Sequence, residues 1–349
     1  MAVTERSREQ AAALLDAWPV PEGEAVWARE AREAARAWLM ETGVPGPRDE
    51  YWRFTDPASL TALPPPPART LEPEKVRVFD IFDTIRIVFA DGVLRPDLSD
   101  DLAGEGLIIE RLDEVMANET HWAREFYGQL EAAAQSPVPR PLAALNTAAA
   151  TAGVVIRVTG RPSRPVLIRY LHESETSDAV IHHVVKLDPG SALTVLENGP
   201  AAARFNKCME ISVGDGAEFH HIRAQGRDHE RRAVTHLFAR LGVGSAMRSF
   251  TLTANGRMTR NEAVVELMGE GGTVHVAGAC LGDGDFHHDD TVFITHAAEH
   301  CESRQVFKKV LRNGAVGVFQ GKILVRPGAQ KTDGYQLSQG LLLDGDSQF

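Results

Sequence analysis

Cysteine is scarce in this 349-residue chain, which has only Cys208, Cys280 and Cys301. A number so small and odd does not make a disulfide framework, and a reducing, cytoplasmic setting is expected. Long apolar runs are missing too. No stretch approaches the roughly 18 residues that cross a membrane. The first 30 residues carry Glu5, Glu9, Asp16, Glu22, Glu24 and Glu30 where a secretory leader needs an apolar segment. Positive charge is in deficit, with 37 Lys and Arg against 48 Asp and Glu, a net charge of −11 and a pI near 5.6. With its Lys and Arg scattered, so acidic a chain is expected to bind neither nucleic acid nor an anionic membrane. The sequence also lacks a G-x-x-x-x-G-K-[ST] phosphate loop and a G-x-S-x-G elbow, so any ATP hydrolysis has to come from another chain. Gly269-Glu270-Gly271-Gly272 opens a strand and not a helix, and Lys331-Thr332-Asp333 follows a Pro-Gly corner, so neither reads as a nucleotide site.

What the chain does have is a hydrophobic content of 43%, enough for a sizeable core. Residues 5–17 and 22–41 read as helices, the second placing Trp27, Ala31, Ala34 and Trp38 at helical spacing, and Gly43, Pro45 and Pro47 stop it. Pro64 to Pro67 reads as an extended connector. Val76–Ala90 is expected to form strands closed by the turn pair Asp91-Gly92. Leu107–Met116, Glu119–Ala134 and Leu142–Thr151 read as further helices, giving a mixed, mostly helical region over residues 1–150.

From Val154 onward the pattern changes to short runs of β-branched and apolar residues, at Val154–Val158, Val166–Leu171, Val180–Leu187, Ala192–Leu196 and beyond. Turn pairs punctuate them, and the steps from Gly190 to Gly216, Gly244 and Gly272 are 26, 28 and 28 residues. A sandwich turns every 8–12 residues; a period near 28 suits stacked coils of a β-solenoid, with glycine supplying positive φ at the corners. The fold expected for residues 151–349 is therefore a β-helix core.

The densest chemistry lies in His287, His288, Asp289, Asp290, His296, His300 and Cys301. Imidazole, thiolate and carboxylate all bind iron or zinc, and the metal candidates are His288, His296 and Cys301. Spacing argues the other way. Alternate strand residues face opposite sides, so His288 shares a face with Asp290, and His287 with Asp289. The competing reading makes Asp290, His296 and Ser303 polar ladders between coils. Cys301 is either a thiolate able to accept sulfur or iron, or a small packing residue. Cys208 and Cys280 read as core. The doublets His182-His183 and His220-His221 put one ring on each face of a strand.

Several ordered segments resemble a known family. They are His288-Asp289-Asp290, His296, Cys301-Glu302-Ser303-Arg304-Gln305, Lys308, Phe319 to Val325, Ala329 to Asp333 and Leu341-Leu342-Leu343, preceded far upstream by Glu50-Tyr51-Trp52-Arg53-Phe54-Thr55. The chain thereby resembles the SufB/SufD family, scaffold subunits of the Suf iron–sulfur cluster assembly system. The E-Y-W-R-F-T segment and the low cysteine content are similar to the SufD side. The resemblance implies a right-handed parallel β-helix core, a heterodimer with SufB through the late coils, cooperation with the ATPase SufC, and no enzymatic activity of the chain's own. It implies iron or an iron–sulfur cluster in the complex, and a possible homodimer through the same edge. Members continue into a D-D-V-x-C-x-H-G motif and a helical tail where SufC docks. This sequence stops at Phe349, so a shortened chain is expected. Rival readings are a SufB-type scaffold, a carbohydrate-active β-helix enzyme using Asp289, Asp290 and Asp333, and a cupin-like metalloprotein using His288, His296 and Cys301.

Overall fold

The computed structural model describes residues 4–70, 78–102, 104–226 and 230–349. Its helices are α1 (Glu5–Ala17), α2 (Val26–Thr42), α3 (Ala58–Thr61), α4 (Leu112–Met116), α5 (Gln129–Ala133) and α6 (Pro141–Ala149). The strands begin with β1 (Ile85–Ala90), β2 (Val93–Leu94), β3 (Leu107–Arg111), β4 (Val154–Val158), β5 (Val166–Leu171) and β6 (Asp178–Leu187). They continue as β7 (Ala192–Asn198), β8 (Arg204–Val213), β9 (Glu218–Gly226), β10 (Arg232–Leu241), β11 (Ala246–Ala254) and β12 (Met258–Leu267). The last are β13 (Thr273–Asp283), β14 (His287–His296), β15 (Glu302–Arg312), β16 (Val316–Val325) and β17 (Asp333–Leu342).

From β4 onward successive strands alternate between two sheets, each pairing in parallel with the strand two places on. One sheet runs β17-β15-β13-β11-β9-β7-β5-β1-β2, the other β16-β14-β12-β10-β8-β6-β4-β3. The result is a flattened parallel β-solenoid of about six turns, as the glycine spacing predicted. Val166–Leu171 and Val154–Val158 are strands with the expected bounds, while β6 and β7 run two residues longer than their apolar runs. Corner glycines take positive φ at Gly190, Gly216, Gly244 and Gly284; in the fourth corner that role falls to Gly271 instead of Gly272. Coils stack so closely at Gly199 that a Cβ there would lie 1.9 Å from the Tyr170 carbonyl oxygen.

The apolar core lies between the sheets, where inward positions such as Ile168, Val195, Phe219, Met247 and Val274 follow the period of two. The outer face of the even-numbered sheet carries the helices. Leu142 and Leu145 of α6 pack with Val180, Val234 and Met258, and Ala143 with Cys208 and Phe238. Both Cys208 and Cys280 are buried, as expected of core residues.

Four local expectations need correction. Leu107–Met116 is not one helix: Leu107 and Ile109 are buried with period two and pair antiparallel with β4, and only Leu112–Met116 turns helical. Glu119–Ala134 breaks into a 3-10 turn and α5, because Gly128 adopts φ 72° between them. Of Val76–Ala90 only Ile85–Ala90 is a strand; residues 76 and 77 lie outside the described residues. In α2 the buried stripe is Ala28, Arg32, Ala35 and Leu39, one residue on from the expected one. Arg32 explains that rotation. Its guanidinium pairs with Glu24 at 2.8 Å and donates to the Ala150 carbonyl at 2.6 Å, satisfying backbone at the end of α6.

Candidate functional site

Strand β14 sorts its polar residues by face. His288, Asp290, Val292, Ile294 and His296 point between the sheets, whereas His287, Asp289 and Phe293 point toward the amino-terminal segment. On the inner face, Lys309 Nζ donates to Asp290 Oδ2 at 2.9 Å and to His288 Nδ1 at 3.2 Å. His288 Nε2 lies 3.3 Å from Asp290 Oδ1. Burial lowers the His288 pKa despite Asp290 beside it, keeping the ring neutral at physiological pH. Burial alone would raise Asp290, but His288 and the Lys309 ammonium hold its carboxyl below the ordinary range.

This trio is one end of a polar column inside the solenoid. Asn261 sits 3.1 Å from His288 Nε2 and accepts from Arg223 at 2.9 Å and Gln225 at 3.0 Å. Two coils earlier, Glu197 accepts from Lys207 (2.7 Å) and Tyr170 (2.6 Å) and meets His221 Nε2 at 2.7 Å. His183 completes that group, 2.9 Å from the Tyr170 hydroxyl. A cavity of about 40 Å³ between the halves is lined by Lys207, His221, Arg223, Ser249, Asn261 and Asp290, polar and roomy enough for ordered water. Burial favours neutral Glu197, yet Lys207 and His221 overcome it and hold the carboxylate charged. Lys207, desolvated but facing Glu197, falls to about 8. Burial takes His183 down to about 3. Sequence reasoning missed Glu197, Lys207, Arg223, Asn261 and Lys309; the available signal was a polar residue at an inward position of an apolar strand.

The outer face of β14 holds the amino-terminal motif. Thr55 Oγ1 donates to Asp289 Oδ2 at 2.6 Å and lies 3.0 Å from His287 Nε2. Trp52 is buried with the Arg260 guanidinium 4.1 Å above its ring, and Arg260 in turn pairs with Glu262 (2.6 Å) and Asp289. Tyr51 packs edge-on to Phe293 with centroids 5.3 Å apart, and Gln320 donates to the Tyr51 carbonyl at 3.1 Å. Two segments more than 230 residues apart in sequence thus form one structural unit.

The three metal candidates are not brought together. His288 and His296 are eight residues apart on one strand, about 26 Å at ordinary strand rise. His296 Nε2 bonds Ser303 Oγ at 2.8 Å across the corner from β14 to β15, within one coil and not between stacked coils as a polar ladder would run. Cys301 is buried with its Sγ 3.3 Å from the Gly269 carbonyl, and burial raises the thiol pKa, away from a reactive thiolate. His300, in contrast, occupies a positive-φ turn and is half exposed. Among the described residues no group of three or more His, Cys, Asp or Glu is arranged to hold a metal ion. The doublets split by face, with His183 and His221 inside, His182 toward the helices on Glu210 (2.9 Å) and His220 outside on Arg248 (3.0 Å).

The last coil is different in character. Strands β16 and β17 end their respective sheets, and no residue of β17 is fully buried. Leu324, Val325, Tyr335, Leu341, Leu342 and Leu343 are exposed, the last at 55%. Leu324, Val325 and Tyr335 lie at the corner joining β16 to β17 and Leu341 to Leu343 at the other end of β17, whose outer backbone edge pairs with no further strand among the described residues; such an edge invites strand pairing or a partner surface.

Comparison with known proteins agrees with this architecture. The family model described as "SUF system FeS cluster assembly, SufBD core domain" matches residues 170–349. The iron–sulfur cluster assembly protein SufD of Escherichia coli (strain K12) is 25% identical over 320 residues, 87% of this chain and 71% of that protein. A SufBD family protein of Synechocystis is 22% identical over 344 residues, covering 91% of this chain and 74% of its own length. SufD of Bacillus subtilis (strain 168) is 26% identical over 213 residues, 58% of this chain and 48% of that protein. With more than half of its length matched, and with solenoid strands β6 to β17 occupying the matched segment, the chain belongs to the SufBD family of iron–sulfur cluster assembly proteins.

Proposed function

We propose that the chain is a SufD-type scaffold subunit for iron–sulfur cluster assembly. It pairs with SufB through β16 and β17 and works with SufC, which supplies the ATPase activity; the chain itself catalyses no reaction. The observation that carries the pairing is the outer edge of β17, which pairs with no further strand among the described residues and, with its exposed leucines, suits a second β-helix of the same kind. The same edge would serve a homodimer. Iron or a cluster is held in the complex, in keeping with the separate protein partners that His288, His296 and Cys301 have here. Residues 1–150 act as the helical cover and 151–349 as the β-helix scaffold. The cytoplasm is the proposed location; among the described residues no helix is long and apolar enough to cross a membrane.

Co-purification tests the pairing. Tagged residues 1–349 are expected to retain SufB, and Leu341→Glu combined with Leu343→Glu to lose it while the circular dichroism spectrum stays unchanged. Retention of SufB by the double variant, or failure of the unaltered chain to retain it, would overturn pairing through this edge. Iron, sulfide and ATPase assays on the eluate then show whether cluster and ATPase follow the complex.

A further inference from the structure

The outer face of the odd-numbered sheet is exposed from β9 to β17. On these strands Phe219, Met247, Val274 and Phe307 point into the core, so the alternate residues face outward. Ile222, Phe250, Ala277, Val306 and Leu337 stand there in register, one per strand, in a row stepping about 4.8 Å from strand to strand. Ile222 is 36% and Phe250 40% exposed, and Leu252 and Leu281 continue the apolar surface beside the row. From β9 to β17 this face measures roughly 20 Å by 20 Å, or about 400 Å², and an exposed apolar patch of that size marks an interaction site.

Charge and size select what covers it. Arg248 and Lys308 are exposed on the same face and flank the apolar row from opposite sides, two residues before Phe250 on β11 and two after Val306 on β15. Arg248 donates to His220 at 3.0 Å, and neither cation has a carboxylate within ion-pair distance among the described residues. The outward acids are engaged elsewhere: Glu218 pairs with Arg161 (2.5 Å), Asp333 with Arg304 (2.6 Å) and Asp283 with Arg312 (2.6 Å), while Glu302 stands at the start of β15, two strands from Arg248. A second copy would bring the same two unneutralised cations to the contact, and a stable dimer buries about 800 Å² on each partner, twice this patch. A single helix fits better, since its side chains repeat every 5.4 Å or so along one face, close to the strand spacing. The even-numbered sheet is covered in this way, with α6 lying against β6, β10 and β12. We propose that the outer face of the odd-numbered sheet docks an acidic amphipathic helix of a partner protein, its apolar stripe along the row from Ile222 to Leu337 and its carboxylates at Arg248 and Lys308.

Fluorescence anisotropy on the full chain tests the surface. The probe is a labelled synthetic peptide of about 14 residues, roughly 21 Å long as a helix, with leucines along one face and glutamates on both flanks. It is expected to bind saturably and to gain helical circular dichroism, and the same peptide with lysines in place of its glutamates to bind at least tenfold more weakly. Phe250→Ser, and Arg248→Glu combined with Lys308→Glu, should each lower affinity about tenfold with the melting temperature unchanged, because all three side chains are exposed. Equal binding of the two peptides, an unaltered affinity in either variant, or no saturable binding of the acidic peptide would each overturn the proposal. Phe250 lies three strands from the β17 edge, so F250S is expected to retain SufB, and loss of the peptide is read separately from loss of that pairing.

Discussion

At Asp289 a buried carboxylate accepts from Thr55 and Arg260, and Arg260 lies over Trp52, so one residue ties the amino-terminal motif to the solenoid. Removing one member of a buried ion pair leaves its partner unneutralised in a dry environment. Asp289→Ala is expected to destabilise the chain by about 3–5 kcal/mol in urea unfolding, whereas Thr55→Val should cost only about 1–2 kcal/mol, the scale of one buried hydrogen bond. Similar losses from the two would show that Asp289 does not neutralise Arg260. His183 makes a different prediction. Its Nδ1 accepts from the Val154 N–H and its ring is buried, so it stays neutral down to about pH 3, whereas the unfolded ring takes up a proton near 6.5. The unfolded state therefore binds more protons as pH falls from about 6.5 toward 3, and stability drops by up to about 1.4 kcal/mol per pH unit across that window. The urea midpoint should fall accordingly between pH 6.5 and 4.5, and His183→Gln should flatten that slope even if it lowers stability at pH 7. An equally steep slope in the variant would assign the pH dependence to other groups.

On the scale of the strand, β14 shows what was legible beforehand. The period of two separated His287 and Asp289 from His288 and Asp290, and the structure places these pairs on opposite faces. The corner spacing near 28 residues yielded the solenoid because every coil must return to the same register; Glu218, for example, pairs with Ala246. What was illegible was what each face would meet. Nothing in HHDDTVFITH says that the outer face receives Tyr51 and Thr55, since that partner comes from far upstream. The interior column was hidden for a related reason: Glu197, Lys207, Arg223 and Lys309 each look like an ordinary charged residue in a strand, and only stacking the coils brings them within bonding distance. Helical segments suffered from short length. At 107–111 apolar residues fitted either period, and pairing with β4 decided for the strand. In α2 the stripe was displaced by Arg32, a charge whose burial becomes reasonable only with Glu24 and the Ala150 carbonyl in place.

Considered as a whole, the molecule is asymmetric along its axis. One end of the solenoid is closed by the antiparallel strands β2 and β3; the other presents β16 and β17 with exposed leucines. Residues 1–349 alone should therefore self-associate as concentration rises, with a mass above the 38.1 kDa of the monomer in light scattering. The L341E/L343E double variant should remain monomeric. A wild-type chain that stays monomeric at high concentration would argue that this edge is not adhesive. The Thr55 to Asp289 contact also bears on how such a chain is made. A ribosome releases the first sixty residues long before it has synthesised the strand that receives them, and at ordinary elongation rates of 5–20 residues per second that delay is on the order of 10–50 seconds. Through it Trp52 has no Arg260 to rest under, so the nascent amino terminus depends on α6 or a chaperone for shelter, and the seal forms only when the late coils emerge.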